Sequence, residues 1–319
     1  MLLDGYKTIE LLGKGARSEI HHVVRVRTGE HFALKRVVRE RSVDDRFIEQ
    51  TLTDFSVSHA VRHLNLRCSY EIHRKRQWFS VSEVLLLMEY VQGITLDDAY
   101  PAAGRRVGES DIAVLALIFG QIIDGLQALH TAGYLHADMK PNNVILAGSD
   151  PPQVKIIDFG QSCHIGVRKE RVQGTPDFIA PEQVARRTLD RRTDVFNLGA
   201  TMYWVLTGKT YPTDTRLAGN VRGHDITDPD KTDPPHVLNA AVPPGLSKLV
   251  MDCCRQNPAE RPPDMRQLRG RLATLQNLWK GAAATPRAGL PPTIEDPAAC
   301  RMSGAARDDS EPPAAEYFE

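Results

Sequence analysis

The chain has 319 residues, 41% of them hydrophobic and 25% charged, with 40 basic side chains set against 40 acidic ones. That apolar content excludes disorder throughout, and the length suffices for one large core or two modest ones. With no basic excess, the usual case for a nucleic-acid or polyanion binder is missing, although a local basic patch remains compatible.

The chain opens MLLDGYKTIE, without a basic-then-apolar leader. Its charge-free stretches Ile112–Ile123 and Val195–Gly208 fall short of the roughly 18–20 residues needed to span a bilayer. Five cysteines (Cys68, Cys163, Cys253, Cys254 and Cys300) are odd in number and lack C-x-x-C spacing, which argues against a disulfide framework or a zinc site. A cytoplasmic protein with no membrane span is expected.

Segments Tyr6–Leu12, Ile20–Arg27 and His31–Val38 read as strands separated by glycine-containing turns, with Arg27-Thr-Gly-Glu30 fitting a hairpin. Phe47, Ile48, Leu52, Phe55 and Ala60 predict a helix over about Asp44–Arg62, and Trp78–Ser82 and Val84–Val91 read as two further strands. From residue 109 the period changes. Leu115, Ile118, Phe119, Ile122, Leu126 and Leu129 predict a long buried helix capped by Ser110 or Asp111. A second helix is expected over about Thr193–Leu206, stopped by Gly208. A strand-rich first third and a helix-rich remainder imply two lobes with a ligand cleft between them. In residues 281–319, Ala, Pro and Gly supply 19 of 39 positions, and acidic residues outnumber basic ones by seven to three. That stretch is expected to be a disordered acidic tail.

The first turn reads Leu12-Gly13-Lys14-Gly15-Ala16-Arg17-Ser18-Glu19-Ile20. Small residues there let backbone N–H groups approach a phosphate, and a plain hairpin turn is the alternative. Lys35 closes the apolar run Phe32-Ala33-Leu34, where it either snorkels or clamps a phosphate. Tyr134-Leu-His136-Ala-Asp138-Met-Lys140-Pro-Asn142-Asn143 carries more information. Asp138 can accept a hydroxyl proton, Lys140 can neutralise a transferring phosphoryl group, and Asn143 can ligate a metal. Fifteen residues after Asn143 comes Ile157-Asp158-Phe159-Gly160, a carboxylate ending an apolar strand. Asn143 and Asp158 together offer hard oxygen ligands suited to Mg²⁺.

In this order these blocks, with Ala180-Pro181-Glu182, resemble the eukaryotic-type protein kinase superfamily, its bacterial Ser/Thr kinases included, from about Tyr6 to Leu278. The resemblance implies an α+β bilobal fold: a β-rich N-lobe with one main helix over about residues 1–90, and a larger, mostly helical C-lobe over about 91–280. It also implies ATP and Mg²⁺ as cofactors. Gly13, Lys14, Gly15 and Lys35 would cover and hold the phosphates, with Asn143 and Asp158 on the metal. Met88 takes the gatekeeper position, Glu89 and Val91 the adenine-bonding hinge, Ile20 and Ala33 the pocket roof, and Ile145 its floor. Asp138 and Lys140 would be catalytic, with Thr175 touching both. Lys140, two residues past Asp138, and Thr175 before Ala180-Pro181-Glu182 imply a Ser/Thr acceptor in a protein rather than a small molecule. By the same resemblance Asp194 braces the catalytic loop and Arg261 pairs with Glu182.

Three positions depart from the family. Ala137 replaces the arginine that receives an activation-loop phosphate, and Ser162 is the sole hydroxyl residue of Gln161–Gln173, so phosphorylation there is not expected to be the switch. Counting back nine residues from His63 lands on Asp54 as the partner of Lys35, with Glu49 the other choice, and Ser58 one turn on is more polar than a packing contact calls for. Ser18 stands where the last loop glycine would be. These departures motivate the alternative, a scaffold that binds nucleotide weakly and works by docking partners.

Overall fold

The computed structural model describes residues 2–15, 17–39, 45–77, 80–100, 106–148, 151–213 and 232–279; the expected acidic tail lies outside them. The first lobe is an antiparallel sheet of β1 (Tyr6–Lys14), β2 (Ser18–Arg25), β3 (His31–Val38), β4 (Ser69–Gln77) and β5 (Ser80–Glu89), in the order β1-β2-β3-β5-β4. Gly29, with φ +74°, supplies the left-handed residue of the β2–β3 hairpin, and Arg25 N and Glu30 O close it at 2.9 Å. Helix α1 (Arg46–Ala60) packs on this sheet. Its buried face mixes Ile48 and Val57 with Thr51, Asp54 and Ser58, an unusually polar set for a core.

The expected strands Trp78–Ser82 and Val84–Val91 need correction. Trp78 and Phe79 lie outside the described residues; the rest are largely one strand, β5, and its partner β4 precedes them, paired from Gln77↔Ser80 to Ser69↔Met88. β4 is the sheet edge and reads Ser-Tyr-Glu-Ile-His-Arg-Lys-Arg-Gln, so charged residues hide the apolar alternation. β5 lies between β3 and β4 and is buried at Val84–Met88, hence its unbroken apolar run.

The second lobe is built on α3 (Glu109–Thr131), α5 (Arg191–Thr207), α7 (Pro244–Cys253) and α8 (Met265–Trp279), with short α2 (Leu96–Ala99), α4 (Pro181–Val184) and α6 (Pro235–Leu238). Leu115, Ile118, Phe119, Ile122, Leu126 and Leu129 of α3 are all buried in one core with Val195, Leu198 and Met202 of α5 and Leu268 and Leu272 of α8. Each such side chain stabilises the fold by roughly 1.5–3 kcal/mol. The cap of α3 is Gly108, not Ser110 or Asp111. Asp111 sits inside the first turn, and its carboxylate accepts the Gly108 N–H at 2.8 Å. Taken whole, α3 is long and apolar enough to cross a membrane, which the charge-free stretch Ile112–Ile123 alone is not. Its apolar face is instead the centre of this core. Gly208 ends α5 in the left-handed conformation at φ +71°.

Two small sheets border the cleft. β6 (Gly93–Thr95), β8 (Val144–Ala147) and β9 (Gln153–Ile156) form one in the order β6-β8-β9, and β7 (Tyr134–Leu135) pairs with β10 (Cys163–His164). The loops leaving β7 and β9 carry the chemistry-bearing residues.

Candidate active site

The loop after β7 is shaped from beneath by Asp194, a fully buried residue in the first turn of α5. Its carboxylate accepts the N–H of His136 at 2.9 Å, the N–H of Ala137 at 2.7 Å and Nε2–H of His130 at 2.7 Å. Burial opposes ionisation of Asp194, but these donors outweigh it and hold its pKa below the usual carboxylate range. Anchored this way, Ala137 adopts φ +60°, a left-handed conformation costly for a residue with a Cβ. Its methyl group is buried against Leu135 and Leu189, so the position that departs from the family motif is filled by packing.

The turn at Ala137 presents Asp138, Lys140 and Thr175 to one another. Thr175 donates to Asp138 Oδ1 through both its N–H and its hydroxyl, each at 2.9 Å. Lys140 Nζ donates to Thr175 Oγ1 at 2.8 Å and lies 3.2 Å from Asp138 Oδ2. A carboxylate, an ammonium and a hydroxyl thus share one hydrogen-bonded triangle. Asn143, in the short 3₁₀ turn Pro141–Asn143, donates its amide N–H to the Asp138 carbonyl at 2.8 Å. That commitment turns the amide oxygen, an acceptor and possible metal ligand, away from the Asp138 carbonyl.

Asp158 follows β9 with φ +62°. Its carboxylate is 46% exposed, accepts the Gly160 N–H at 3.2 Å and faces Lys35 Nζ at 3.8 Å. The Lys35 charge, joined by the Gly160 N–H, holds Asp158 down at about 2. Lys35 is mostly buried on β3 and also meets Asp54 Oδ2 at 3.6 Å. Burial works against the Lys35 charge, yet Asp158 and Asp54 outweigh it and raise its pKa. Glu49 is 67% exposed and lies 3.9 Å from Arg171 instead. Of the two candidate partners of Lys35, the fold brings up Asp54. Arg67, which no sequence motif marks, is buried and donates to Asp54 Oδ1.

Above the cleft, the β1–β2 turn is closed by Gly15 N–H donating to Ser18 O at 2.7 Å. A Cβ on Gly15 would come within 2.8 Å of Ser18 Oγ, so a larger residue at 15 would make the Ser18 side chain turn away. Lys14 is exposed, 4.0 Å from Glu19. At the back of the cleft Ala33, Leu86 and Met88 are buried together with Ile20 against them. Glu89 uses its N–H on Cys68 O at 2.9 Å and its side chain on Cys68 N at 3.0 Å and Lys155 Nζ at 2.6 Å. Val91 and Ile145 are half-buried beyond it.

The segment after Asp158 is tied down by contacts within the chain. β10 pairs with β7 as Cys163↔Leu135 and His164↔Tyr134, and Lys169 Nζ donates to the Gln161 carbonyl. Gln183, also unremarked in the sequence, is buried and donates to Ala137 O at 2.8 Å and Gln173 O at 3.2 Å, while its oxygen accepts from Ala180 N at 2.9 Å. Ser162 is buried beneath. Glu182 and Arg261 form a bidentate pair at 2.8 and 2.9 Å, with Thr193 Oγ1 donating to Glu182 at 2.9 Å.

A two-lobed body with a glycine turn, a paired strand lysine, and an Asp–Lys–Thr triangle beside an Asn and an Asp defines a phosphoryl-transfer class of site. The profile of the protein kinase domain matches residues 6–270, and the chain belongs to that family. It is 31% identical over 201 residues to human myosin light chain kinase family member 4, covering 62% of this chain and 49% of that protein. It is 25% identical over 298 residues to serine/threonine-protein kinase Pkn1 of Myxococcus xanthus, covering 89% and 40%. Against serine/threonine-protein kinase PknB of Mycobacterium tuberculosis it is 27% identical over 285 residues, covering 86% and 44%. The chain spans about half the length of these relatives or less.

Proposed function

We propose that this protein is an ATP- and Mg²⁺-dependent kinase that phosphorylates Ser or Thr hydroxyls of other proteins. The observation that carries the reading is the Asp138–Thr175–Lys140 triangle set beside Asp158, Asn143 and Lys35, with every polar contact made by a side chain of the expected type. Asp138 orients the acceptor hydroxyl and takes its proton. Lys140 balances charge growing on the transferred phosphoryl group, and Lys35, held between Asp54 and Asp158, grips the inner phosphates. Gly13, Lys14 and Gly15 cover them, and the Glu89 carbonyl and Val91 N–H meet the adenine beneath Ile20 and Ala33 and above Ile145, with Met88 behind.

The donor set fits Mg²⁺. The free amide oxygen of Asn143 and the ionised Asp158 are hard ligands, and among the described residues no cluster of three or more His, Cys, Asp or Glu side chains gathers to hold a metal alone. Asn143 and Asp158 would hold the ion, which would supply neutralisation of phosphate charge.

Incubation with Mg²⁺, γ-labelled ATP and a generic basic protein tests this. Label on phosphoserine or phosphothreonine is expected, and a wild-type signal no higher than that of Asp138→Ala refutes it. A scaffold that only docks partners gives that second result. Activity is also expected without activation-loop phosphate, since Ser162 is buried and Gln183 and Lys169 already fasten the segment. Phosphatase-treated protein and Ser162→Ala should transfer phosphate at the untreated wild-type rate. Loss of activity in either would show that the segment depends on a phosphate after all.

A further inference from the structure

The polar patch inside the first lobe has no counterpart in the roles assigned above. Arg67, just after the isolated bridge Leu66↔Ile156, is buried between α1 and the start of β4. One guanidinium nitrogen, Nη2, donates to Asp54 Oδ1, and the other, Nη1, donates to Ser69 Oγ at 2.9 Å. Ser58 Oγ lies 2.6 Å from Ser69 Oγ and 2.5 Å from the Asp54 carbonyl oxygen. The guanidinium also sits 5.6 Å from the centre of the Phe159 ring, and the Phe159 N–H approaches Asp54 Oδ1 at 3.4 Å.

Asp54 therefore divides its carboxylate. Oδ1 serves Arg67 and Phe159, while Oδ2 faces Lys35 at 3.6 Å. An aspartate reaches one methylene less far than a glutamate, and a buried carboxylate shared by two cations holds its place only where both are fixed. Arg67 is fixed by Ser69 and by the ring of Phe159. With Asp158 opposite, two cations and two anions balance in this part of the cleft.

We propose that Arg67 is a positioning residue for phosphate transfer. By clamping Asp54 Oδ1 it keeps Oδ2 on Lys35 and links that pair to Phe159, the neighbour of Asp158, so that a short carboxylate does the work of a longer one. The proposal rests on the kinase reading, and it extends that reading to a residue outside the reacting atoms.

The test compares Arg67→Met, Asp54→Glu and the double variant by titration with Mg·ADP and by steady-state kinetics. Arg67→Met is expected to weaken Mg·ADP binding and lower kcat/KM for ATP by about 10–100-fold. KM for the protein acceptor should not change. The double variant should regain most of the loss, because glutamate reaches Lys35 without a clamp. Arg67→Met with wild-type nucleotide affinity and kcat overturns the proposal. So does a double variant as impaired as Arg67→Met alone, which would make Arg67 a fold residue only. Should Arg67→Met not fold by its thermal transition, Arg67→Lys decides instead. It keeps the charge but lacks the second donor for Ser69, so weakened Mg·ADP binding is expected and wild-type binding overturns the idea. The titration reads the Lys35 pair even in a protein that transfers nothing. A wild type that binds Mg·ADP without phosphotransfer sinks the kinase reading, while the ratio of variant to wild-type affinity still judges Arg67.

Discussion

Asp138→Ala and Asp138→Asn each lower the phosphotransfer rate by about 10²–10⁴-fold and leave Mg·ATP affinity at the wild-type level. The separation follows from where Asp138 is held. Its carboxylate contacts Thr175 and Lys140, whereas Lys35 answers to Asp54 and Asp158 on the nucleotide side. Asparagine is the sharper probe. It keeps an oxygen that can accept from the Thr175 N–H and hydroxyl, and Lys140 keeps its bond to Thr175, but it gives up the Asp138–Lys140 ion pair and cannot take a proton from an acceptor hydroxyl. An equal loss in both variants assigns Asp138 to proton transfer. Near wild-type turnover in Asp138→Asn would leave Asp138 only the task of seating Lys140 and Thr175. Equilibrium titration with Mg·ATP beside initial-rate measurements separates the two.

What the sequence revealed and what it concealed divide along a physical line. Blocks such as His136–Asn143 and Asp158-Phe159-Gly160 are legible because each packs several chemically distinct groups into a few residues and then returns to an apolar strand. Helix α3 is legible for the related reason that one buried face repeats every three or four residues. β4 was not, because an edge strand of Glu, His, Arg and Lys shows no apolar alternation. The cap of α3 was misplaced because a glycine N–H bonded to Asp111 leaves no distinctive side chain at the cap itself. Asp54 could be reached by counting back from His63, but Arg67 could not. Its partners come from α1, β4 and the loop after β9, and nothing local marks an arginine there as buried. Ser58 gave a hint, as a polar residue on a face that should be apolar. Its meaning emerged only with Ser69 at 2.6 Å.

The largest effect on stability is expected at Asp194. Asp194→Ala strips acceptors from the buried N–H groups of His136 and Ala137 and from His130. Two orphaned buried amides, at about 1–3 kcal/mol each, remove a large part of a domain's usual 5–15 kcal/mol. Activity should fall with stability, because the left-handed backbone at Ala137 aims Asp138 and Asp194 accepts its N–H; without that acceptor only the Gln183 bond to the Ala137 carbonyl and side-chain packing hold it. Chemical denaturation of wild type and Asp194→Ala measures the first effect, and turnover of the folded fraction the second. The pH dependence supplies an independent check. The folded-state pKa of Asp194 is depressed, so the unfolded chain binds its proton more readily than the native one. The stabilisation is complete above the ordinary aspartate pKa of about 4 and is lost as pH falls toward the lower folded value. Asp194→Asn cannot titrate, and it keeps a single oxygen for donors that now need two. Its stability should therefore be lower than wild type at pH 7 and should decline less steeply below about pH 4. An acid limb as steep in Asp194→Asn as in wild type would place that proton uptake on other carboxylates, such as Asp158, and reduce Asp194 to a hydrogen-bond acceptor whose charge is immaterial.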